Sequence, residues 1–222
     1  MRTLVVAPHP DDELLGCGGL LLRRHSEGAR VGLVIVTSLA LKSPHNDDEI
    51  KRRQLEIGEV AQGLGISSND VFQLGFPTTT LDAIPMFQLV QAMSSIFQEF
   101  VPNEILTPHR GDVHSDHRIT SEVVAACSKW FRYPSIRRVL SYETLSETGL
   151  GHSPELVFNP NVYVDISPWI ERKIELLEIY SSEMAAFPFP RSAVAVRALA
   201  QLRGANSGFA MAEAFELLLD RI

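Results

Sequence analysis

The chain has 222 residues, of which 45% are hydrophobic and 21% are charged. This composition is ordinary for a globular protein and excludes a largely disordered chain, and the length fits one domain. Lysine and arginine together number 20 against 27 acidic residues, so the formal net charge is −7. Such a charge disfavours nucleic acid as a partner, because the average surface repels a phosphate backbone.

Two cysteines, Cys17 and Cys127, are too few for a disulfide framework and fit a reducing compartment. The first apolar run, over residues 4–7, ends far too early for a signal peptide. No stretch approaches the roughly 18 consecutive apolar residues that a membrane-spanning helix needs. We therefore expect a cytoplasmic protein without a membrane span.

Short apolar runs alternate along the chain with longer segments of helical period. Strands are predicted at residues 3–7, 31–37, 71–74, 104–107, 139–143 and 162–166. Helices are predicted at residues 14–24, 46–64, 84–100, 117–131, 168–181 and 193–203, and an unassigned segment at 211–219 closes the chain. Strands that alternate with helices indicate βαβ units. We therefore predict a single α/β domain over residues 1–222, with a Rossmann-like, mostly parallel sheet flanked by helices.

A histidine between two prolines follows the first predicted strand, in the sequence PHPDDE at residues 8–13. A capped helix start would account for one or two of these acids, but not for the stiff backbone around His9. His9 and Asp12 can reach one metal ion, with Asp11 left beside it. The glycine-rich run at 16–19 is not followed by the glycine that a dinucleotide-binding loop requires, so we expect it to let the helix pack closely on the sheet.

A second cluster of polar residues follows the strand predicted at 104–107. It contains three of the seven histidines and two aspartates, where composition alone gives a nine-residue window about 0.3 histidines. These residues are His109, Asp112, His114, Asp116 and His117. Loop histidines in solvent with a capping aspartate are the alternative interpretation. Because ligands bind at the carboxyl ends of parallel strands, we expect both clusters to form one site.

A catalytic zinc ion usually has three protein ligands and a water molecule. His9, Asp12 and one histidine of the second cluster supply such a set. Another histidine and Asp11 are then left for proton transfer. Acid and base groups around an incomplete set of metal ligands indicate metal-assisted hydrolysis.

The sequences PHPDDE at 8–13 and GDVHSDH at 111–117 resemble the two catalytic motifs of the PIG-L/LmbE-type zinc-dependent N-acetylglucosaminyl deacetylases. The resemblance covers nearly the whole chain. It implies an enzyme, a metal-dependent amide hydrolase that removes an N-acyl group, above all N-acetyl, from an amino sugar or sugar conjugate. The substrate implied is a small molecule, free or linked to a nucleotide or lipid, and relatives often form homo-oligomers.

The resemblance also implies roles for individual residues. It implies a zinc site, or a site for another divalent metal, with the ligands His9, Asp12 and His117. Asp11 would be the general base. His114 would stabilise the oxyanion or protonate the leaving amine, and Asp116 would orient His114.

Arg53 is a candidate for substrate binding. At 100° per residue it lies on the same face of its predicted helix as Ile57 and Val60. An arginine on an apolar face is either paired with a buried acid or directed at a ligand. Arg191 is a weaker candidate for contact with an anionic substrate. The loop after residues 75–77 carries threonine at position 78, where relatives often have aspartate, which leaves the substrate open.

Two other functions are compatible with the sequence. One is a metal-dependent amidase or deformylase that acts on another amide, such as an N-formyl sugar or a thiol conjugate. The other is a non-catalytic α/β module that binds a sugar or nucleotide, although the intact set of site side chains argues against it. A screen of N-acyl sugars for amine release distinguishes these functions.

Overall fold

Seven strands form one sheet in the computed structural model, which describes residues 1–38 and 47–222. The strands are β1 (Arg2–Ala7), β2 (Arg30–Ser38), β3 (Val71–Pro77), β4 (Glu104–Pro108), β5 (Arg138–Tyr142), β6 (Val162–Asp165) and β7 (Ala212–Asp220). The α-helices in these described residues are α1 (Asp12–Ser26), α2 (Asp47–Gly63), α3 (Met86–Phe100), α4 (Ser115–Ala126), α5 (Ile170–Leu177) and α6 (Ala193–Ser207).

The strand order is β3-β2-β1-β4-β5-β7-β6. The first five strands in this order are parallel, and β7 runs antiparallel to both β5 and β6. The predicted single α/β domain with a mostly parallel sheet is therefore confirmed. The segment at 211–219, which the sequence left unassigned, is the antiparallel strand between β5 and β6.

Both faces of the sheet are buried, as expected for parallel strands connected by helices. Side chains along β1 alternate between the two faces. Val5 and Ala7 pack in a core with α1, α2, α5 and α6, whereas Leu4 and Val6 pack in a core with α3 and α4. No helix in the described part of the chain has the length and apolar character to cross a membrane.

The glycine-rich run allows α1 to lie close to the sheet, as the sequence predicted. A Cβ atom on Gly16 would lie 2.2 Å from Cδ2 of Tyr142, and one on Gly19 would lie 2.5 Å from Cγ2 of Ile166. The helix is also kinked between these glycines, because Cys17 has non-helical backbone angles (φ −148°, ψ 19°). The kink leaves backbone groups within α1 that need partners from outside the helix.

A buried ion pair supplies those partners. The carboxylate of Glu213 accepts hydrogen bonds from the backbone N–H groups of Gly19 (2.8 Å) and Leu20 (2.7 Å). Nζ of Lys173 donates to Oε1 of Glu213 (2.7 Å) and to the carbonyl oxygen of Leu15 (3.0 Å). The pair therefore satisfies donors and an acceptor on the two sides of the kink.

Replacing Lys173 by alanine is expected to lower the free energy of unfolding by about 3–5 kcal/mol, because it leaves the Glu213 carboxylate buried without its counter-charge. Denaturant unfolding measures this loss. The matched control is Arg172→Ala, which removes an exposed ion pair with Glu175 on the same helix and should cost less than about 1 kcal/mol. Equal decreases in the free energy of unfolding for the two variants would contradict the role of Lys173 in bridging the kink.

Some helix boundaries differ from the prediction. The helix predicted at 117–131 is α4, which begins and ends earlier. Trp130 and Phe131 lie exposed beyond its end, so the apolar residues that extended the prediction do not face the core. The helix predicted at 168–181 is the shorter α5. The predicted start of α2 at Asn46 lies outside the described residues.

Candidate metal centre and active site

The two sequence motifs meet at the carboxyl ends of β1 and β4. These strands are adjacent and parallel, and they end at Ala7 and Pro108. Strands β2 and β3 lie on one side of β1, and β5 lies on the far side of β4. The direction in which the chain winds changes between β1 and β4, which makes this the topological switch point where α/β proteins bind ligands.

Two histidines face one carboxylate oxygen. Nδ1 of His9 lies 3.3 Å and Nε2 of His117 lies 3.2 Å from Oδ2 of Asp12. Ligand atoms of these three residues all lie within 4.8 Å of one another, so they can hold one metal ion. The same spacing also holds for a second group that includes His9, His114 and Asp116. The first group contains the three ligands predicted from the sequence.

The other ring nitrogen of each of these histidines binds a further carboxylate. Nδ1 of His117 donates to Oδ2 of Asp112 at 2.8 Å, and Nε2 of His9 lies 3.0 Å from Oδ2 of Asp116. Histidines that bind metals usually have such a partner, which fixes the ring and raises its basicity. The donor set therefore fits a divalent cation such as zinc, which prefers imidazole and carboxylate ligands.

Asp112 is a site residue that the sequence analysis counted but gave no role. Its side chain is fully buried, and its second oxygen accepts a hydrogen bond from Oγ1 of Thr148 (2.5 Å). The available signal was its place in the histidine-rich window, five residues before His117. Thr148 lies beyond β5, so no local pattern could have linked it to the site.

Asp116 has partners other than the one predicted. Its carboxylate accepts hydrogen bonds from the backbone N–H groups of Thr79 (2.7 Å) and Leu81 (3.2 Å), as well as from His9. Burial acts to raise the pKa of Asp116, but these hydrogen bonds outweigh it and lower the pKa. Nδ1 of His114 is 4.0 Å from this carboxylate. Asp116 therefore holds His9 and the loop after β3, rather than orienting His114 through its carboxylate.

His114 is oriented by the backbone. Its Nδ1 accepts a hydrogen bond from the backbone N–H of Asp116 (3.1 Å), which caps α4. Since Nδ1 accepts, the ring is neutral and Nε2 carries its proton. Burial lowers the pKa of His114 to about 4, and the charges of His9 and His117 act in the same direction. The side chain lines the cavity as a neutral hydrogen-bond donor.

The candidate metal-ligand set, which consists of His9, Asp12 and His117, lies among carboxylates that favour positive charge on its two imidazole rings. Burial acts to lower the pKa values of His9 and His117, but the carboxylates around them raise these values to about 9 and about 10. Burial acts to raise the pKa of Asp12, but the charge and hydrogen bonds of the two histidines lower it. Protons on the histidines and a metal cation would neutralise the same carboxylates, so the two compete for this site.

Asp11 has a strained backbone conformation (φ 131°, ψ −27°) at the start of α1. Such a conformation costs about 1–3 kcal/mol outside glycine. The carboxylate of Glu13 accepts the backbone N–H of Asp11 (3.1 Å) and the hydroxyl of Tyr180 (2.9 Å). Burial raises the pKa of Glu13 to about 7. Glu13 thus anchors the strained residue, in addition to lying in the first turn of the helix.

The carboxyl group of Asp11 is buried between charges of both signs. Its Oδ2 lies 3.2 Å from Nη1 of Arg191, whose Nη2 lies 3.5 Å from Oε2 of Glu183. Burial raises the pKa of Asp11 well above its usual range, the neighbouring charge of Asp12 adds to this, and Arg191 opposes it. A carboxylate with a raised pKa is suited to accept a proton.

Arg53 is both paired with acids and part of the cavity wall. It is 8% exposed, and it donates through Nη2 to Glu183 and to Oγ of Ser182 (3.1 Å). Its Nη1 lies 3.2 Å from Oε2 of Glu56 but makes no hydrogen bond within the described residues. The sequence left pairing and ligand contact as alternatives. The structure shows the pairing, and ligand contact stays a prediction.

A cavity of about 330 Å³ opens over the site. Its volume is in the range of small-molecule sites. The metal-ligand set, Asp11 and His114 line it, together with Arg53, Glu147 and Thr78. The loop after β3 therefore contributes to the cavity through Thr78.

Replacing Asp112 by asparagine is expected to weaken metal binding by about 10–100-fold, because His117 loses the carboxylate that fixes its ring. Titration of the metal-free protein with zinc against a competing chelator measures this change. The matched control is Asp82→Asn, an exposed aspartate, which should leave affinity unchanged. Unchanged affinity in the Asp112 variant would contradict the supporting role of its carboxylate.

Fold and site together define an α/β protein with a two-histidine, one-aspartate candidate metal centre at the switch point of its sheet. A family model described as GlcNAc-PI de-N-acetylase (PIG-L) matches residues 4–128, more than half of the chain. The chain belongs to this family of deacetylases, which are amide-hydrolysing enzymes.

Individual relatives extend the comparison over most of the chain. A probable N-acetyl-alpha-D-glucosaminyl L-malate deacetylase 2 from Bacillus cereus is 27% identical over 195 residues, which are 83% of this chain and 84% of that protein. The conserved protein TT1542 from Thermus thermophilus has a similar structure, with a TM-score of 0.79 and 28% identity, over 99% of this chain and 96% of that one. N,N'-diacetylchitobiose deacetylase from Pyrococcus horikoshii shares the fold at a TM-score of 0.79 and 20% identity, over 98% and 84%.

Proposed function

We propose that the protein is a metal-dependent hydrolase that removes an acetyl group from the nitrogen of an amino sugar or sugar conjugate. The observation that carries this proposal is the geometry around Asp12, where two histidines face one carboxylate oxygen. Each histidine has a further carboxylate partner, and Asp11 lies beside the set in the same cavity. The names of the relatives, an N-acetylglucosaminyl malate deacetylase and a diacetylchitobiose deacetylase, support an acetylated amino sugar as the substrate class.

Zinc is the cation that we propose for this site. His9, Asp12 and His117 would hold it, and three protein ligands of these types are typical of a catalytic zinc with an open position. When bound, the cation supplies Lewis acidity toward a water molecule and an amide carbonyl group.

Asp11 is the proposed general base. As a water oxygen bonds to the acyl carbon, the Asp11 carboxylate takes a proton from that water. When the bond between carbon and nitrogen breaks, the same proton passes to the leaving nitrogen, which gives a free amine and a carboxylic acid. Burial favours this role, because it makes the carboxylate more basic.

His114 is the proposed donor to the oxyanion that develops on the acyl oxygen. The backbone hydrogen bond to Nδ1 leaves the proton on Nε2, in a ring that lines the cavity. A neutral, fixed donor of this kind stabilises charge that appears in the transition state. Of the two roles considered for His114, this geometry favours oxyanion stabilisation over protonation of the amine.

Arg53 is proposed to contact the substrate. Its side chain lines the cavity beside Asp11 and Glu183. A guanidinium group at this position can donate to an oxygen of a bound sugar.

A screen of N-acyl sugars tests the proposal. Protein loaded with one equivalent of zinc is incubated with N-acetyl and N-formyl amino sugars, free and conjugated, and the released amine is quantified. We expect release from at least one N-acetyl compound and none from metal-stripped protein. Release only from N-formyl compounds would identify a deformylase, and release from none would overturn the proposed function.

A cytoplasmic location and assembly into a homo-oligomer stay predictions of the sequence. Cell fractionation tests the first. Size-exclusion chromatography with light scattering tests the second.

A further inference from the structure

We propose that the active site selects uncharged sugar conjugates over anionic ones. This inference rests on the proposed function and specifies its substrate class. Three features carry it: the pairing of both cavity arginines, the carboxylates in the cavity wall, and an uncharged groove that adjoins the cavity.

Apart from the histidines of the candidate metal centre, the described cavity wall carries two basic side chains, Arg53 and Arg191, and both face carboxylates. Arg53 lies against Glu56 and Glu183. Arg191 lies against Asp11 and Glu183. Glu183 is therefore shared by the two guanidinium groups. Neither arginine is left with uncompensated charge for a phosphate or carboxylate on the substrate.

The wall instead presents groups that suit hydroxyl and carbonyl oxygens. The Glu183 side chain is 26% exposed, and Glu147 adds a half-buried carboxylate to the same cavity. Carboxylates accept hydrogen bonds from sugar hydroxyl groups. The guanidinium of Arg53 lines the cavity with its charge already paired with acids. An anionic substituent that reached this part of the wall would be repelled by the Glu183 carboxylate.

A groove of about 450 Å³ adjoins the cavity and lies between α2 and the edge strand β3. The two spaces share Gln54, Ile57 and Gln73 in their lining. The side-chain amides of the two glutamines donate to each other across this junction, both at 2.8 Å. The remaining residues of the groove are also uncharged: Gly58, Ala61, Gln62, Ile66, Ser68 and Val71.

This lining matches an uncharged, hydroxylated group attached to the reacting sugar. Amides offer donors and acceptors to hydroxyl groups, and the apolar side chains can pack against the face of a sugar ring. A nucleotide diphosphate would find no cationic side chain among the described residues of the groove.

The test compares two substrates that differ in charge alone. These are the carbamoylmethyl and carboxymethyl α-glycosides of N-acetylglucosamine, which carry a neutral amide or a carboxylate at the same position. With zinc-loaded protein, kcat/KM from amine release should be higher for the neutral glycoside by at least about tenfold, since like charges at close range are penalised. A ratio of one or below overturns the inference while leaving the proposed function intact. No release from either glycoside or from the N-acyl sugar screen overturns both.

Glu183→Gln tests the origin of the preference. It removes the charge that compensates both arginines, so the ratio of the two kcat/KM values should fall by at least about threefold. The matched control is Glu171→Gln, which changes an exposed partner of Arg197 outside the cavity and should leave the ratio unchanged. If Glu183→Gln fails to fold, Glu147→Gln measures the same ratio. An unchanged ratio of the two kcat/KM values in the cavity variant that is measured would contradict the assignment of the preference to the cavity carboxylates.

Discussion

Replacing Asp11 by asparagine is expected to lower kcat for amine release by about 10²–10⁴-fold, the usual contribution of a positioned general base. Asparagine has nearly the same shape but cannot accept the proton of the attacking water. It also tolerates a positive φ better than most residues, so the strained backbone at this position should persist. Steady-state kinetics on zinc-loaded protein measures the change.

Measuring the zinc content of the variant distinguishes loss of the general base from loss of the metal site. The Asp11 variant should retain about one zinc per chain, because its side chain is not a proposed ligand. Asp82→Asn provides the matched control for the substitution itself and should keep full activity. Turnover near that of the unchanged protein would remove Asp11 as the base.

Replacing His117 by alanine is expected to weaken zinc binding by more than about 100-fold and to abolish activity with it, since loss of a ligand exceeds the effect of losing its supporting carboxylate. The substitution also leaves the buried Asp112 carboxylate without its imidazole partner. The variant His117→Gln keeps a polar side chain at this position and should lose zinc as well. Competition with a chelator gives the affinity of each variant.

His109 is the natural comparison, because it belongs to the same histidine-rich window. Its Nδ1 lies 3.1 Å from Oε2 of Glu216 and its Nε2 lies 3.0 Å from the carbonyl oxygen of Leu156, away from the metal-ligand set. His109→Ala should therefore keep its zinc. Full zinc retention by the His117 variants would refute the ligand assignment.

The local chemistry of the site was predictable from the sequence. A histidine held between prolines and a histidine-rich window each follow a buried strand, and parallel strands bring such segments to one edge of the sheet. The geometry places His9, Asp12 and His117 together for this reason. Their chemical types, rather than any distance, indicated a metal.

The hydrogen-bond partners that hold these residues in place were harder to predict from the sequence. Asp116 was expected to orient His114, yet its carboxylate holds His9 and the loop after β3. Two backbone N–H groups and a histidine 107 residues away form hydrogen bonds with that carboxylate. The sequence shows which residues are neighbours along the chain, but not which groups lie within hydrogen-bond distance in the folded protein. The strand at the end of the chain was undecided for the same reason, since its place between β5 and β6 depends on long-range pairing.

By itself the sequence determined the fold class, a candidate set of metal ligands and the chemistry of those residues, because these depend on residue type and local periodicity. Only the tertiary structure decided the charge around the reacting centre. Arg191 reaches Asp11 across 180 positions of the chain, and Glu183 reaches Arg53 across 130. Burial removes water from these groups, so their charges act on one another instead of on solvent. The net −7 of the whole chain could not reveal that pairing, because a sum of charges carries no information about which ones meet.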